Sequence, residues 1–160
     1  MTKKINSISE IVHEYDAIVF DQWGVLHDGK VSFEGAIECL NGLKKSNVKL
    51  AILSNSGKRS LSNADRISMM GFQSTLFETI MTSGEALLTD ISSNIINEKK
   101  CFPIEREKGS AKLWAESLDV SFEDTVQSAQ AILLMVLPDG VDIINWTDIL
   151  DIALDLNLPR

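Results

Sequence analysis

The sequence predicts an α/β fold: a Rossmann-like parallel sheet followed by a second, smaller α/β unit. Three observations point there. Short apolar runs alternate with stretches whose apolar residues recur at helical spacing, the rhythm of a parallel sheet with helices on its faces. Polar, glycine-containing loops follow the first two runs, at the sheet end where open α/β folds bind ligands. The composition is that of a folded chain, with 160 residues, 44% hydrophobic and 24% charged, enough for one domain or for one with part of a second.

The elements follow in order. Ser7 and Glu10 have capping-box spacing and open a short helix through His13. Residues 16–21 make the first strand. Ser32 is placed to cap a helix over residues 33–45, with Ala36, Ile37, Leu40 and Leu43 on one face. Residues 48–53 are the second strand, and residues 61–70 a helix stopped by Gly71 in a left-handed conformation. Residues 79–82 are a short third strand, and Ser83, Gly84 and Glu85 start a helix to about residue 95. A second unit then reads as strand 99–104, helix 110–118, strongly apolar strand 131–136 and amphipathic helix 145–156, joined by connectors at 119–130 and at Pro138, Asp139 and Gly140. The division is expected at residue 98, between a first unit of residues 1–98 and a second of residues 99–160.

Composition narrows the partners. A net charge of −8 argues against nonspecific binding to nucleic acid or to an anionic membrane, both of which need clustered Lys and Arg. Cys39 and Cys101 lack Cys-x-x-Cys spacing, so they read as buried free thiols rather than a zinc or redox site. The basic start, Met1 to Lys4, lacks the apolar stretch of a signal peptide, and no segment is long enough to span a bilayer. The default location is therefore the cytoplasm.

The chemistry concentrates at two strand ends. Asp21 closes the first apolar run and is followed by Gln22, Trp23 and Gly24; Ser54 and Asn55 close the second, with Gly57 just beyond. Adjacent parallel strands lie about 4.8 Å apart, so a nucleophilic carboxylate and a hydroxyl at their carboxyl ends can meet one phosphate. Residues 21–26 resemble the first motif of the haloacid dehalogenase superfamily, in the subfamily IIA-like branch of phosphatases with an inserted α/β cap. Residues 52–55 are similar to its second motif, and Thr82, Ser83, Gly84 and Glu85 to the segment ahead of the cap.

That resemblance implies phosphomonoester hydrolysis through an aspartyl phosphate on Asp21. It implies Mg²⁺ held by Asp21 and the main-chain carbonyl of Trp23, with phosphate held by Ser54, Asn55 and Gly24. The substrate would be a small phosphorylated metabolite.

Two departures qualify it. Where the resemblance implies an aspartate that protonates the leaving group, this chain has Trp23, and His27 and Asp28 in the following flap are the substitutes at hand, or else solvent-facing turn residues. The lysine and the acidic cluster that complete such a site have no counterpart after Asn145. Lys58 and Arg59 near the second motif are placed to attract phosphate, or else are ordinary charged residues of a loop beside a helix start. The final residues fall where a further strand would begin, so on this resemblance the chain is expected to be an N-terminal portion, a partial core over residues 1–98 with an incomplete α/β cap over residues 99–160, and to have little activity alone. The open sheet, including Ile132, Leu133, Leu134 and Val136, is expected to favour self-association.

Remaining features read structurally. Trp114 and Trp146 are expected in the core, Met69 and Met70 in helix packing, and Asp148, Asp151 and Asp155 on a solvated helix face; His13 is a helix-end residue. A phospho-receiver domain would need an acidic pair after the first strand and an aspartate after the third, neither of which is present. A non-catalytic phosphate-binding or structural protein on the same fold is the alternative, since Trp23 removes the acid.

Overall fold

The computed structural model describes residues 4–136 and 143–159. The expected turn at Pro138, Asp139 and Gly140 lies outside the described residues, as do residues 1–3 and 160. The chain divides into two compact units, Met1–Glu85 and Ala86–Arg160, and the expected division at residue 98 lay later in the chain.

The first unit holds a three-stranded parallel sheet in the order β1 (Ala17–Phe20), β2 (Lys49–Ser54), β3 (Thr79–Thr82). Helix α1 (Ala36–Lys45) connects β1 to β2, and α2 (Ser60–Met69) lies between β2 and β3. One sheet face, with Ile18, Phe20, Leu50, Ile52 and Ile80, joins Leu40 and Leu43 of α1 and Ile67 of α2 in a core. That burial is the main favourable term of the unit. The capping box at Ser7 and Glu10 is formed, but over two 3-10 turns, Ile8–Glu10 and Val12–Glu14, rather than one α-helix.

Ser32 is not the cap of α1. It forms an isolated antiparallel bridge with His27, and the helix instead begins after Gly35, whose φ of 77° places it in the left-handed region. Gly71 does adopt the expected left-handed stop, at φ +93°. Met70 packs against the core, whereas Met69 is exposed on the outer side of α2, and Cys39 is likewise exposed on α1.

The opposite sheet face is open. Val19 and Leu53 are each 60% exposed, and Met81 beside Leu53 is also exposed. Parallel sheets are ordinarily covered on both faces, so this row of apolar side chains is a surface the sequence reading did not single out.

The second unit repeats the parallel pattern, with β4 (Lys100–Ile104) between β5 (Ser121–Phe122) and β6 (Ala131–Leu134). The stretch 119–130 is therefore more than a connector, since it contains β5 and a 3-10 turn, Val126–Ser128. Helix α3 (Ser83–Ser92) runs across the boundary between the units, α4 (Ser110–Trp114) follows β4, and α5 (Thr147–Asp155) follows a 3-10 turn, Ile143–Trp146. The three helices end or start inside their expected limits, as fraying ends commonly do.

Trp114 lies in the core with Ile91, Cys101, Ala111 and Leu133, while Trp146 is half-buried. Leu133 is thus buried, contrary to expectation, and Ile132 is partly covered; Leu134 and Val136 are exposed as expected. Asp148, Asp151 and Asp155 face solvent.

Glu105 stands in for a helix cap. Its carboxylate accepts the N–H of Gly109 at 2.6 Å and of Ala111 at 2.7 Å, and the Ser110 hydroxyl at 3.1 Å. Partial burial works to raise its pKa, but those donors and the Lys108 charge outweigh it and hold the carboxyl below its ordinary range.

Candidate active site

The three strands of the first sheet finish at one end. Phe20 is level with Ile52, and Ser54 with Thr82, so Asp21 comes level with Leu53 and Ser54 lies one residue further along. Asp21 is exposed and Ser54 half-buried. Alternation along β2 gives Ser54 the parity of buried Leu50 and Ile52, whereas Asp21 has the parity of exposed Val19. Convergence of the two on a ligand therefore depends on the backbone past Phe20, which leaves the strand at Asp21. No hydrogen bond among the described residues joins Asp21 to Ser54 or Asn55.

The loop after Asp21 is compact because one carbonyl gathers it. The Gln22 carbonyl accepts the N–H groups of Val25, Leu26 and His27, at 3.2, 2.8 and 3.2 Å, and Gly24 donates to the His27 carbonyl at 2.9 Å. Gly24 sits at φ +79° with open space where a side chain would stand, so it offers a ligand close approach to the backbone; its own N–H is already used. The Gln22 side chain turns inward, fully buried, and donates through Nε2 to Asn63 Oδ1 of α2 at 2.8 Å. Sequence reading missed this pair, whose only signal was a polar residue four positions before Ile67 on the core face of α2.

His27 is 1% exposed and so is not a solvent-facing turn residue. Its Nδ1 accepts the Gly29 N–H at 3.0 Å, which puts the proton of the neutral ring on Nε2, a buried atom without a hydrogen-bond partner. Burial, then the charge of Arg66, lowers its pKa from 6.5. Asp28 does face solvent, and its Oδ1 accepts the N–H groups of Lys30 and Val31 at 2.8 and 2.9 Å. The Val31 and Lys30 bonds hold the Asp28 pKa below its ordinary value.

The loop after β2 is clasped to the start of α3. Thr82 Oγ1 donates to the Lys58 carbonyl at 2.6 Å and accepts from the Glu85 N–H at 3.0 Å, capping α3. Gly84 N–H donates to the Ser56 carbonyl at 3.1 Å, and Ser83 Oγ donates to Asn55 Oδ1 at 2.9 Å. A methyl at Gly84 would land on the Gly57 carbonyl. The Ser54 hydroxyl and the Asn55 N–H take no part in hydrogen bonds among the described residues. Lys58 is exposed in this loop, and Arg59 is half-buried next to it.

A hard cation suits part of this arrangement. Asp21 Oδ1 accepts the Gln22 N–H at 2.7 Å, leaving Oδ2 without a hydrogen bond among the described residues. The bridge between Trp23 and His27 is made by the groups on either side of the Trp23 carbonyl. One carboxylate and one carbonyl match the way Mg²⁺ is held beside a phosphate, with water filling other positions. Among the described residues no group of three His, Cys, Asp or Glu side chains is placed to hold a metal.

Comparison with known proteins bears on this geometry. The model of the haloacid dehalogenase-like hydrolases matches residues 18–118. A haloacid dehalogenase-like family hydrolase from Brucella suis superposes with a TM-score of 0.82 at 23% identity, over 97% of this chain and 58% of its own. A possible sugar phosphatase from Cytophaga hutchinsonii gives 0.71 at 20% identity, over 97% and 55%. A glycerol phosphate phosphatase from Mycobacterium tuberculosis, in complex with magnesium, gives 0.59 at 16% identity, over 91% and 42%. These likenesses establish a shared fold, and the chain spans about half the length of those structures. No curated protein matches the sequence.

Replacing Asn63 with Ala leaves the buried Gln22 amide without its acceptor. The expected loss is about 1–3 kcal/mol of stability, read by denaturant unfolding; a loss under a few tenths of that would remove the pair from the account of the loop. Lowering the pKa of His27 also gives a signed pH effect. As pH falls the unfolded chain takes up the proton first, so this contribution to stability is complete above 6.5 and is lost as pH drops from there toward the folded value. Ring resonances that disappear in His27→Gln are expected to titrate with a midpoint below 6.5; a midpoint at or above it would contradict the burial argument.

Proposed function

Because the chain belongs to the haloacid dehalogenase-like hydrolase family, we propose that its site serves Mg²⁺-dependent hydrolysis of small phosphorylated metabolites through an aspartyl phosphate on Asp21. The observation that carries this reading is an exposed carboxylate at the shared carboxyl end of β1 and β2, with one oxygen oriented by Gln22 N–H and the other open.

Asp21 Oδ2 attacks phosphorus, and the bond from phosphorus to the ester oxygen breaks with its electron pair leaving on that oxygen. Water then attacks the phosphorus of the aspartyl phosphate, Asp21 regains its carboxylate, and inorganic phosphate departs. The water's protons end on the alcohol and the phosphate. Ser54 Oγ and the Asn55 N–H are the open donors on the neighbouring strand end, and Gly24 leaves room for phosphate to approach the loop. Asp21 and the Trp23 carbonyl would hold Mg²⁺, which when bound neutralises charge on the phosphoryl oxygens.

Trp23 carries no acidic or basic group to serve the departing oxygen. Absence of a positioned general acid costs about 10²–10⁴ in rate, so alkyl phosphates suffer more than esters with an acidic leaving group. Turnover by this chain alone is expected to be weak, since Trp23 leaves the departing oxygen without that acid. The missing acid at Trp23 also supports the second reading, a non-catalytic phosphate-binding or structural protein.

The two separate by phosphoryl mimicry. With Mg²⁺, beryllofluoride is expected to be captured at Asp21, seen by fluorine NMR, and to be lost in Asp21→Asn; no capture by the unaltered chain would favour the non-enzyme.

The exposed row of Val19, Leu53 and Met81, with Leu134 and Val136 in the second unit, supports self-association. Among the described residues no helix is long and apolar enough to cross a membrane, in keeping with a cytoplasmic setting. Gel filtration is expected to give species larger than the 17.7 kDa chain, and a compact monomer at all concentrations would overturn that.

A further inference from the structure

The indole of Trp23 extends the hydrolytic reading and rests on it. Asp21 is exposed, Gln22 buried and Trp23 exposed, so the carboxylate and the indole both reach solvent while Gln22 between them turns inward to Asn63. Trp23 is 68% exposed, yet its ring has a neighbour to rest on. It rests against Gly29 so closely that a methyl built there would stand 2.6 Å from Cζ3 and 2.9 Å from Cη2.

That seat is itself held. Gly29 donates its N–H to His27 Nδ1 at 3.0 Å, and its carbonyl accepts from the Arg66 guanidinium at 2.9 Å. Its φ of +99° belongs to a region that L side chains rarely adopt. A large aromatic ring is thus supported along one edge, left bare over most of its surface, and set two residues from the nucleophile.

We propose that Trp23 is a specificity platform on which the aromatic leaving group of the substrate lies while Asp21 takes the phosphoryl group. The substrate class is then phosphomonoesters of phenols and comparable flat hydroxyl compounds. The chemistry agrees with the side chain. When the bond from phosphorus to oxygen breaks, the electron pair passes to an oxygen conjugated with the ring. The aryloxide leaves without a proton from the protein and acquires one from solvent. An indole gives such a group a stacking surface and asks nothing of it as an acid.

Phenylphosphonate and methylphosphonate test this, because they carry the same anionic head and no ester to hydrolyse. By calorimetry in Mg²⁺, the 160-residue chain is expected to bind phenylphosphonate about tenfold more tightly than methylphosphonate, a difference of the size aromatic pairs supply. Trp23→Phe is expected to keep most of that ratio, and Trp23→Ala to bring it close to one. Equal affinity for the two probes, or a ratio unchanged in Trp23→Ala, overturns the platform. Beryllofluoride capture at Asp21 separates the failures. If capture occurs while the phosphonates bind equally or not at all, the platform alone falls; if capture fails, the hydrolytic reading falls and the platform with it.

Discussion

The hydrogen bond between the buried amides of Gln22 and Asn63 fixes the loop that carries Asp21. A glutamine immediately after a strand would ordinarily seek water. Here it is drawn into the core because Asn63 supplies an acceptor within α2; a buried amide group without a partner is costly, and among the described residues the Asn63 Nδ2 still bears that cost. With the side chain anchored, the Gln22 carbonyl is aimed back at three successive N–H groups. Those bonds close the turn that presents Asp21 on one side and Trp23 beyond it. The position of the carboxylate thus depends on a contact between residues 41 apart in sequence.

The clasp between the β2 loop and the start of α3 does the same for the second strand end. Thr82 is both the cap of a helix and the anchor of a loop, since one hydroxyl donates to Lys58 and accepts from Glu85. Gly84 follows because only a residue without a side chain lets the two backbones meet. Both strand ends are therefore held by groups that do not themselves face a ligand, leaving Ser54 Oγ, the Asn55 N–H and one oxygen of Asp21 uncommitted.

Much of this was legible in the residue pattern, for a physical reason. Strands β1, β2 and β3 are short apolar runs closed by polar residues, and their length and flanking turn residues mark them even though one sheet face is open at Val19, Leu53 and Met81. The edge on which Asp21 and Ser54 both end follows from that alternation. What escaped reading depends on polar groups that compete for partners across the chain. Ser32 has the chemistry of a helix cap but is taken by a bridge to His27, so Gly35 opens α1 instead. His27 looked like a turn residue because its neighbours Asp28 and Gly29 are turn formers, yet its ring is enclosed. The two-residue β5 is too short to show a period, and it exists only because β4 offers it an edge.

The two sulfhydryls have a consequence of their own. Cys39 stands in solvent on α1 of the first unit, while Cys101 is enclosed on β4 of the second. Burial raises the Cys101 thiol above its ordinary range, with Glu98 adding to the effect, so it is shielded from electrophiles twice over, by access and by protonation. The molecule consequently has a built-in reporter. A maleimide marks one unit in the native protein, and the slow arrival of a second adduct clocks the transient opening of the other.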